Sequence, residues 1–251
     1  MDGNGRWARS RSLPRTAGHR EGAKAVRSVV EECGRLGVQF LTLYAFSVEN
    51  WKRPKHEVSF LMSLLQRFLV QEEASLMKNN VRLQAIGRLD GLPEGVQEQL
   101  RKAVQRTRQN TGLVLCLALN YGGRAELADA ARKIAAEVQA GRLLPDDITE
   151  EVIQKHLYAG SDGKPFPDPD LLIRTAGEWR LSNFLLWQSS YAELYITDVC
   201  WPDFRAENLR AAIADFGRRE RKFGGLKEQD VHTASSHGLE LDRVVPGSDA
   251  R

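Results

Sequence analysis

Hydrophobic and polar positions along the chain follow two alternating patterns. Across residues 21–36, apolar residues such as Val26 and Val30 recur at helical spacing, and the pattern stops at Gly37. A short apolar run typical of a strand follows at residues 40–46. Because this alternation of helix and strand continues along most of the chain, we expect an α/β fold, a single domain with a mostly parallel central sheet surrounded by helices.

The same two patterns predict the remaining elements. Further helices are predicted at residues 58–77, 93–108, 125–140, 149–158, 184–191 and 206–221. Further strands are predicted at residues 81–87, 113–119, 171–173 and 194–197. The segment after Gly225 has no period. We therefore expect one catalytic domain over residues 1–225 and a flexible C-terminal tail over residues 226–251.

The composition supports one globular domain and adds a local charge. A chain of 251 residues with 42% hydrophobic and 27% charged residues can bury a substantial core. The net charge is only +3, yet the first 24 residues are strongly basic. Their basic residues are Arg6, Arg9, Arg11, Arg15, Arg20 and Lys24, against the acidic Asp2 and Glu21. An anionic ligand is therefore expected at the N-terminal end.

The cysteines and the hydropathy pattern predict the cellular compartment of the protein. Cys33, Cys116 and Cys200 are an odd number and widely spaced, which argues against a disulfide framework or a zinc site. No stretch reaches the roughly 18 apolar residues of a membrane span, and the N-terminus lacks the apolar run of a signal peptide. We expect a soluble, cytoplasmic protein that can still touch a membrane surface.

Polar residues follow three of the predicted strands. They lie at residues 47–53, 120–124 and 174–178. In parallel α/β sheets, ligands bind beyond the carboxyl ends of the strands, so these segments are candidates for a binding site. The sequence contains no Gly-x-x-x-x-Gly-Lys-Ser/Thr loop, which argues against an ordinary NTPase.

The N-terminal segment combines glycines, an arginine and a carboxylate. Gly3 and Gly5 leave backbone N–H groups open to phosphate oxygens, and Arg6 can offer a charged fork. Asp2 would be repelled by a diphosphate unless a cation such as Mg²⁺ lies between them. The alternative is an ordinary glycine turn.

Two further polar groups are candidates on residue type alone. Arg174 and Arg180, with Glu178 and Ser182, are a plausible anion clamp, the alternative being a solvated loop. Glu193 stands among aromatic and apolar neighbours, where a buried carboxylate would need a partner or a metal. A surface glutamate at a helix end is the alternative for Glu193.

Several long motifs together resemble the cis-prenyltransferase family. They occur in family order from Met1 to about residue 225. The motifs are residues 1–8 (MDGNGRWA), 18–19 (GH), 44–51 (YAFSVENW), 120–124 (NYGGR), 173–178 (IRTAGE) and 201–204 (WPDF). Such an ordered set is far more specific than any single glycine-rich loop.

The resemblance implies a reaction and its participants. The family condenses isopentenyl diphosphate onto an allylic diphosphate, usually farnesyl diphosphate, with Mg²⁺ as cofactor and a Z-polyprenyl diphosphate as product. The implied product is undecaprenyl diphosphate, a precursor of the cell-wall lipid carrier. The resemblance also implies a homodimer, with residues 218–225 near the interface, and peripheral membrane contact during product release.

The resemblance also assigns roles to individual residues. Asp2 matches the aspartate that holds Mg²⁺, and Glu193 matches a second metal-site carboxylate. Asn50 occupies the position assigned to proton removal, although an amide is barely basic, so we assign it orientation of the substrate. The matched substrate-binding residues are Gly3, Asn4, Gly5, Arg6, Trp7, Arg15, His19, Ser47, Val48, Glu49, Trp51, Arg53, Arg174, Arg180, Leu181 and Ser182.

The helix predicted at residues 58–77 carries too many apolar residues for one stripe. Taken alone, this pattern favours burial. With the resemblance, the helix becomes a candidate wall of an apolar product tunnel, since each added five-carbon unit gains roughly 4 kcal/mol from burial. The candidate wall residues are Phe60, Leu64, Leu65 and Phe68.

Two other functions and one departure from the family pattern bear on this interpretation. The alternatives are a catalytically silent partner subunit and a nucleic-acid-binding protein. Retention of Asp2, Asn50 and Glu193 argues against the first, and no nucleic-acid module supports the second.

Family members usually carry a short apolar strand directly before the first motif. Either the natural start lies upstream of Met1, or that strand is absent and Asp2 sits on a frayed terminus.

Overall fold

A parallel three-stranded sheet organises the structure, a computed structural model that describes residues 1–159, 163 and 166–221. Its strands are β1 (Phe40–Ser47), β2 (Arg82–Ile86) and β3 (Val114–Tyr121), in the order β1-β3-β2. After its first residue, β3 is buried throughout, because it lies between two strands and under helices. A second, two-stranded parallel sheet pairs β4 (Leu171–Arg174) with β5 (Glu193–Ile196).

Helices surround these strands and confirm the predicted α/β class. Those of the described residues are α1 (Asn4–Ser10), α2 (Arg15–Arg35), α3 (Lys55–Lys78), α4 (Glu94–Thr107), α5 (Gly123–Gln139), α6 (Glu150–His156) and α7 (Ala206–Gly217). Their buried faces and the central sheet form one apolar core, with Val29, Leu69, Leu83 and Leu115 almost fully buried in it. Within the described part of the chain, no helix is long and apolar enough to cross a membrane.

The structure differs from the predicted elements in several places, among them α2, which begins at Arg15 and not at the predicted residue 21. The helix predicted at residues 184–191 is wrong: this segment is a series of turns, and Leu185 has a left-handed backbone with φ of 45°. Helix α1 was not predicted, because seven residues are too short for a helical period to show. Helix α7 ends at Gly217, four residues before the predicted end at residue 221.

Residues Met1–Gly217 form a first compact unit, which ends before Arg218. The predicted tail over residues 226–251 lies outside the described residues. The carboxyl ends of β1, β3 and β4 are the parts of the first unit that matter for the chemistry.

Candidate functional site

The polar segments that follow β1, β3 and β4 are joined through one side chain. Asn183 Nδ2 donates to Glu49 Oε1 at 2.8 Å, and Asn183 Oδ1 accepts from the Arg124 N–H at 2.8 Å. Its backbone carbonyl accepts from the Gly123 N–H at 2.7 Å. Partial burial opposes ionisation of Glu49, but the hydrogen bonds from Asn183, a backbone N–H and Ser47 together outweigh it and lower the pKa of Glu49. The loop after β4 is therefore joined through Asn183 to the segments that follow β1 and β3.

The N-terminal motif is a helix start rather than a free glycine loop. Gly3 precedes α1 with φ of 93°, a left-handed backbone that side chains rarely adopt. A Cβ at this position would lie 2.8 Å from Cys200 Sγ. The Asp2 N–H donates to Thr175 Oγ1 at 2.9 Å, and the Asp2 carbonyl accepts from the Trp201 N–H at 2.8 Å. The motif is thus held in place by much later parts of the chain.

The Asp2 carboxylate lies at the carboxyl end of β4. Its Oδ2 pairs with Arg174 Nη2 at 2.9 Å, and its Oδ1 accepts from the Gly3 N–H at 2.6 Å. The Asp2 side chain is 41% exposed, so its oxygens are also accessible from solvent. A partly exposed carboxylate next to an arginine suits a site where a cation and an anionic substrate meet.

Two arginines and a glutamate form the neighbouring charged cluster. Glu178 pairs with Arg6 at 2.7 Å and also with Arg180. The guanidinium groups of both arginines are about half exposed or more, and each has donors left for a second anion. Leu181 and Ser182 follow, with Ser182 in a left-handed conformation at φ of 50°. The structure thus brings Arg180 of the predicted clamp and Arg6 of the N-terminal motif onto one carboxylate.

A second cationic cluster surrounds Glu57, a residue that the sequence analysis missed. Glu57 Oε1 lies 3.1 Å from Arg53 Nη1, 3.4 Å from Arg15 Nη2 and 3.5 Å from His19 Nε2. Burial and the nearby Arg53 guanidinium lower the pKa of His19. Near pH 7 this imidazole is therefore neutral, and the cluster carries one net positive charge, from two arginines and one glutamate. Gly5 lies beside it, since a Cβ there would be 3.3 Å from Arg15 Cζ.

The segment after β1 is a tight turn with its own capping interactions. The Ser47 N–H donates to Asn50 Oδ1 at 3.1 Å, and the Ser47 side chain caps the Asn50 backbone in return. Trp51 Nε1 donates to Asn120 Oδ1 at 2.7 Å, which fixes this turn to the end of β3. Val48 packs over Gly122, where a Cβ would lie 2.8 Å from Val48 Cγ2. The turn therefore holds Asn50 in a defined orientation.

A cavity of about 170 Å³ lies between α2, α3 and the sheet. Asn4, His19, Asn50 and Arg53 form a polar part of its lining. Its apolar walls include Leu43, Leu117, Leu61, Leu64, Leu65 and Phe68. Three of the four predicted wall residues therefore line it. The fourth, Phe60, instead lies under the Arg20 guanidinium, 5.3 Å from its ring centroid.

Two predicted site residues lie apart from these clusters. Trp7 Nε1 donates to Asp203 Oδ1 at 2.7 Å, and the Arg11 guanidinium covers the Trp7 ring at 4.4 Å. Glu193 pairs with Leu171 at the opposite end of the β4–β5 sheet from Arg174, about 10 Å away along the strands. Within the described residues, no group of three His, Cys, Asp or Glu side chains is arranged to hold a metal ion. The metal role of Asp2 and Glu193 stays a prediction.

Comparison with known proteins gives a consistent result. Residues 1–224 match the model of a protein family described as putative undecaprenyl diphosphate synthase. The isoprenyl transferase of Clostridium perfringens (strain 13 / Type A) is 51% identical, over 90% of this chain and 88% of that protein. The isoprenyl transferase of Geobacillus kaustophilus (strain HTA426) is 53% identical, over 90% of this chain and 86% of that protein.

Two solved structures share the fold. Lavandulyl diphosphate synthase from Lavandula x intermedia, in complex with dimethylallyl diphosphate, is 39% identical with a TM-score of 0.84, covering 89% of this chain and 95% of that one. A probable undecaprenyl diphosphate synthase from Campylobacter jejuni is 37% identical with a TM-score of 0.71, covering 82% of this chain and 92% of that one.

Proposed function

The chain belongs to the undecaprenyl diphosphate synthase family of isoprenyl transferases, and from this premise we propose that it condenses isopentenyl diphosphate onto an allylic diphosphate. Farnesyl diphosphate is the proposed primer and undecaprenyl diphosphate the proposed product. The observation that carries the proposal is the cavity, whose lining changes from His19, Asn50 and Arg53 to leucines and Phe68. Such a cavity matches a diphosphate attached to a hydrocarbon tail.

The reaction needs stabilisation of a leaving group. The allylic carbon–oxygen bond breaks with its electron pair leaving on the diphosphate, the double bond of isopentenyl diphosphate forms the new carbon–carbon bond, and a proton is lost. Cationic side chains act most strongly where negative charge develops, which is on the departing diphosphate. Arg53 lines the cavity, and Arg15 contacts the same Glu57 oxygen as Arg53, so both guanidiniums are suited to this role.

The second diphosphate is assigned to the other cluster. Arg174 and Arg180, with Arg6 nearby, would bind isopentenyl diphosphate through donors that their carboxylate partners leave open. Asn50, fixed by its hydrogen bond from the Ser47 N–H, would orient a substrate between the two clusters. This division gives each diphosphate its own set of arginines.

The Asp2 carboxylate is suited to bind Mg²⁺. Asp2 offers a partly exposed carboxylate, and Mg²⁺ commonly combines one or two carboxylates with substrate phosphate and water. Bound there, Mg²⁺ would neutralise negative charge on a substrate diphosphate next to Asp2 and Arg174. Asp2 is therefore the first proposed ligand, and Glu193, at the start of the neighbouring strand β5, stays the predicted second one.

The direct test is incorporation of labelled isopentenyl diphosphate by purified protein. We expect incorporation with farnesyl diphosphate and Mg²⁺, loss of incorporation with a chelator, and products whose chain length is read by chromatography. No incorporation under any of these conditions, also when the chain is extended upstream of Met1, would contradict the enzyme proposal and favour a silent partner subunit. A single condensation would keep the reaction class and contradict the undecaprenyl product.

We also propose that two copies associate and that product leaves at a membrane surface. Trp179, 83% exposed in the loop after β4, supports the first proposal, because so large an apolar side chain is suited to a contact between proteins. Light scattering on the purified chain would give the oligomeric state. Faster steady-state turnover with added detergent or lipid vesicles would support release at a membrane.

A further inference from the structure

Glu57 is a buried carboxylate that collects cations from separate parts of the chain. It lies in the first turn of α3 and is 6% exposed. Arg15 and His19 reach it from α2, and Arg53 reaches it from the turn before α3. All three approach the same oxygen, Oε1, at 3.1 to 3.5 Å.

A second buried carboxylate on the same helix shows how many cationic partners a buried glutamate needs for its own stability. Glu72 is 9% exposed and is paired with Arg27 of α2, through contacts of 3.0 and 2.5 Å. One guanidinium with two hydrogen bonds thus satisfies Glu72. Glu57 has two guanidiniums and the neutral imidazole of His19 as partners at longer distances, so it has one cation more than Glu72 has.

The surplus charge is directed towards the cavity. Arg53 and His19 line the cavity, while Arg15 is 55% exposed beside Gly5. A guanidinium has five N–H donors and uses only one of them on Glu57, so most donors remain open to an anion. Without the carboxylate, the two guanidiniums would repel each other and separate.

We propose that Glu57 is a positioning residue that holds Arg15, His19 and Arg53 together as the receptor for the diphosphate of the allylic substrate. This inference rests on the proposed function and extends it to a residue outside the substrate contacts. Glu57 acts through the three basic side chains. It therefore determines affinity for one of the two substrates and leaves the other unchanged.

The test compares the substitution Glu57→Gln with the matched control Glu72→Gln. The amide keeps the shape of the side chain but removes the charge and adds donors that face the arginines. We expect the KM for farnesyl diphosphate to rise about 10- to 100-fold in Glu57→Gln, equivalent to losing charge-assisted hydrogen bonds. The KM for isopentenyl diphosphate should not change, and Glu72→Gln should leave both KM values unchanged.

A binding measurement separates positioning from the chemical step. Calorimetry with farnesyl thiolodiphosphate, an unreactive analogue, should show weaker binding to Glu57→Gln by the same factor and unchanged binding to Glu72→Gln. If Glu57→Gln does not fold, Glu57→Asp keeps the charge but withdraws it by one methylene, and a selective rise in the KM for farnesyl diphosphate is again expected.

The outcomes distinguish this inference from the proposed function. Wild-type protein that neither binds the analogue nor incorporates isopentenyl diphosphate would contradict the proposed function. Wild-type activity together with unchanged farnesyl diphosphate affinity in both Glu57 variants would overturn the positioning role alone. An equal rise in both KM values would also overturn it, since a general structural defect affects the two substrates alike.

Discussion

Glu57 and Glu126 are both buried carboxylates on helices next to the sheet, yet their surroundings are opposite. Glu126, 1% exposed, accepts from Tyr121 Oη at 2.5 Å, from Gln188 Nε2 at 3.1 Å and from the Tyr158 N–H at 3.0 Å. These donors are neutral. Burial and the adjacent carboxylate raise the pKa of the Tyr121 phenol. Glu57 instead faces three basic side chains at the polar end of a cavity.

The difference indicates how a buried charge can be assigned to structure or to function. Neutral donors that converge on Glu126 satisfy its oxygens and join α5 to the segment after β4, so the network stabilises the fold. Cations that converge on Glu57 leave positive charge and free donors beside a cavity. A buried carboxylate with surplus cations is therefore a candidate site component, whereas one with matched neutral donors is structural.

Of the substitutions compared, Asp2→Ala is expected to have the largest effect, a loss of turnover. It extends the comparison from buried carboxylates to a partly exposed one. Loss of the proposed magnesium ligand should lower turnover about 10³-fold, close to the effect of removing a group that stabilises developing charge. The fold should persist, because the backbone groups of Asp2 make its bonds to Thr175 and Trp201. Circular dichroism provides the stability control, and unchanged turnover would remove Asp2 from the site.

Glu126→Ala should show the opposite behaviour, with a loss of stability and little change in chemistry. The substitution leaves three buried donors unsatisfied and opens a cavity, which costs about 3–4 kcal/mol of unfolding free energy. Urea unfolding measures the loss, and KM values at low temperature provide the control. A selective change in the KM of one substrate would break the distinction between Glu126 and Glu57.

The smallest effect is expected for His19→Gln, on the pH dependence of stability. His19 is the one basic member of the Glu57 cluster whose charge can change near neutral pH. Its folded pKa is below the unfolded value of 6.5, so as pH falls below 6.5 the unfolded chain binds a proton that the folded chain does not. This contribution to stability is present above pH 6.5 and is lost as pH falls. Urea midpoints at pH 7.5 and 5.5 should therefore differ more in the wild type than in His19→Gln.

The predicted order of strands and long helices was correct because each carries a strong period. The continuous apolar run of β3 and the apolar face of α2 are properties of neighbouring residues, which a sequence displays directly. The helix predicted around Leu185 was wrong, because the apolar residues there recur at helical spacing although the segment does not form a helix. Left-handed backbone at Asn183 and Leu185 is instead fixed by the bonds from Asn183 to two other loops.

Site residues that belong to a sequence motif could be predicted, whereas contacts between residues that only the folded chain brings together could not. The Asp2–Arg174 pair joins two motifs of the family resemblance, so both residues were candidates from the outset. The Glu57 cluster joins α2 to the start of α3, and no local pattern connects Arg15 with Glu57. The only signals were the spacing of Arg53 and Glu57, four residues apart, and an acidic residue just ahead of the apolar run of α3.

The bonds of Asp2 to later residues have a consequence for how the protein is made. Asp2 is translated long before its backbone partners, since Thr175 follows it by 173 residues and Trp201 comes later still. The three strands of the main sheet also pair only over long sequence separations, which slows folding. A nascent chain that does not yet include Trp201 therefore contains the whole N-terminal motif without the contacts that hold it, and the site is completed late in synthesis.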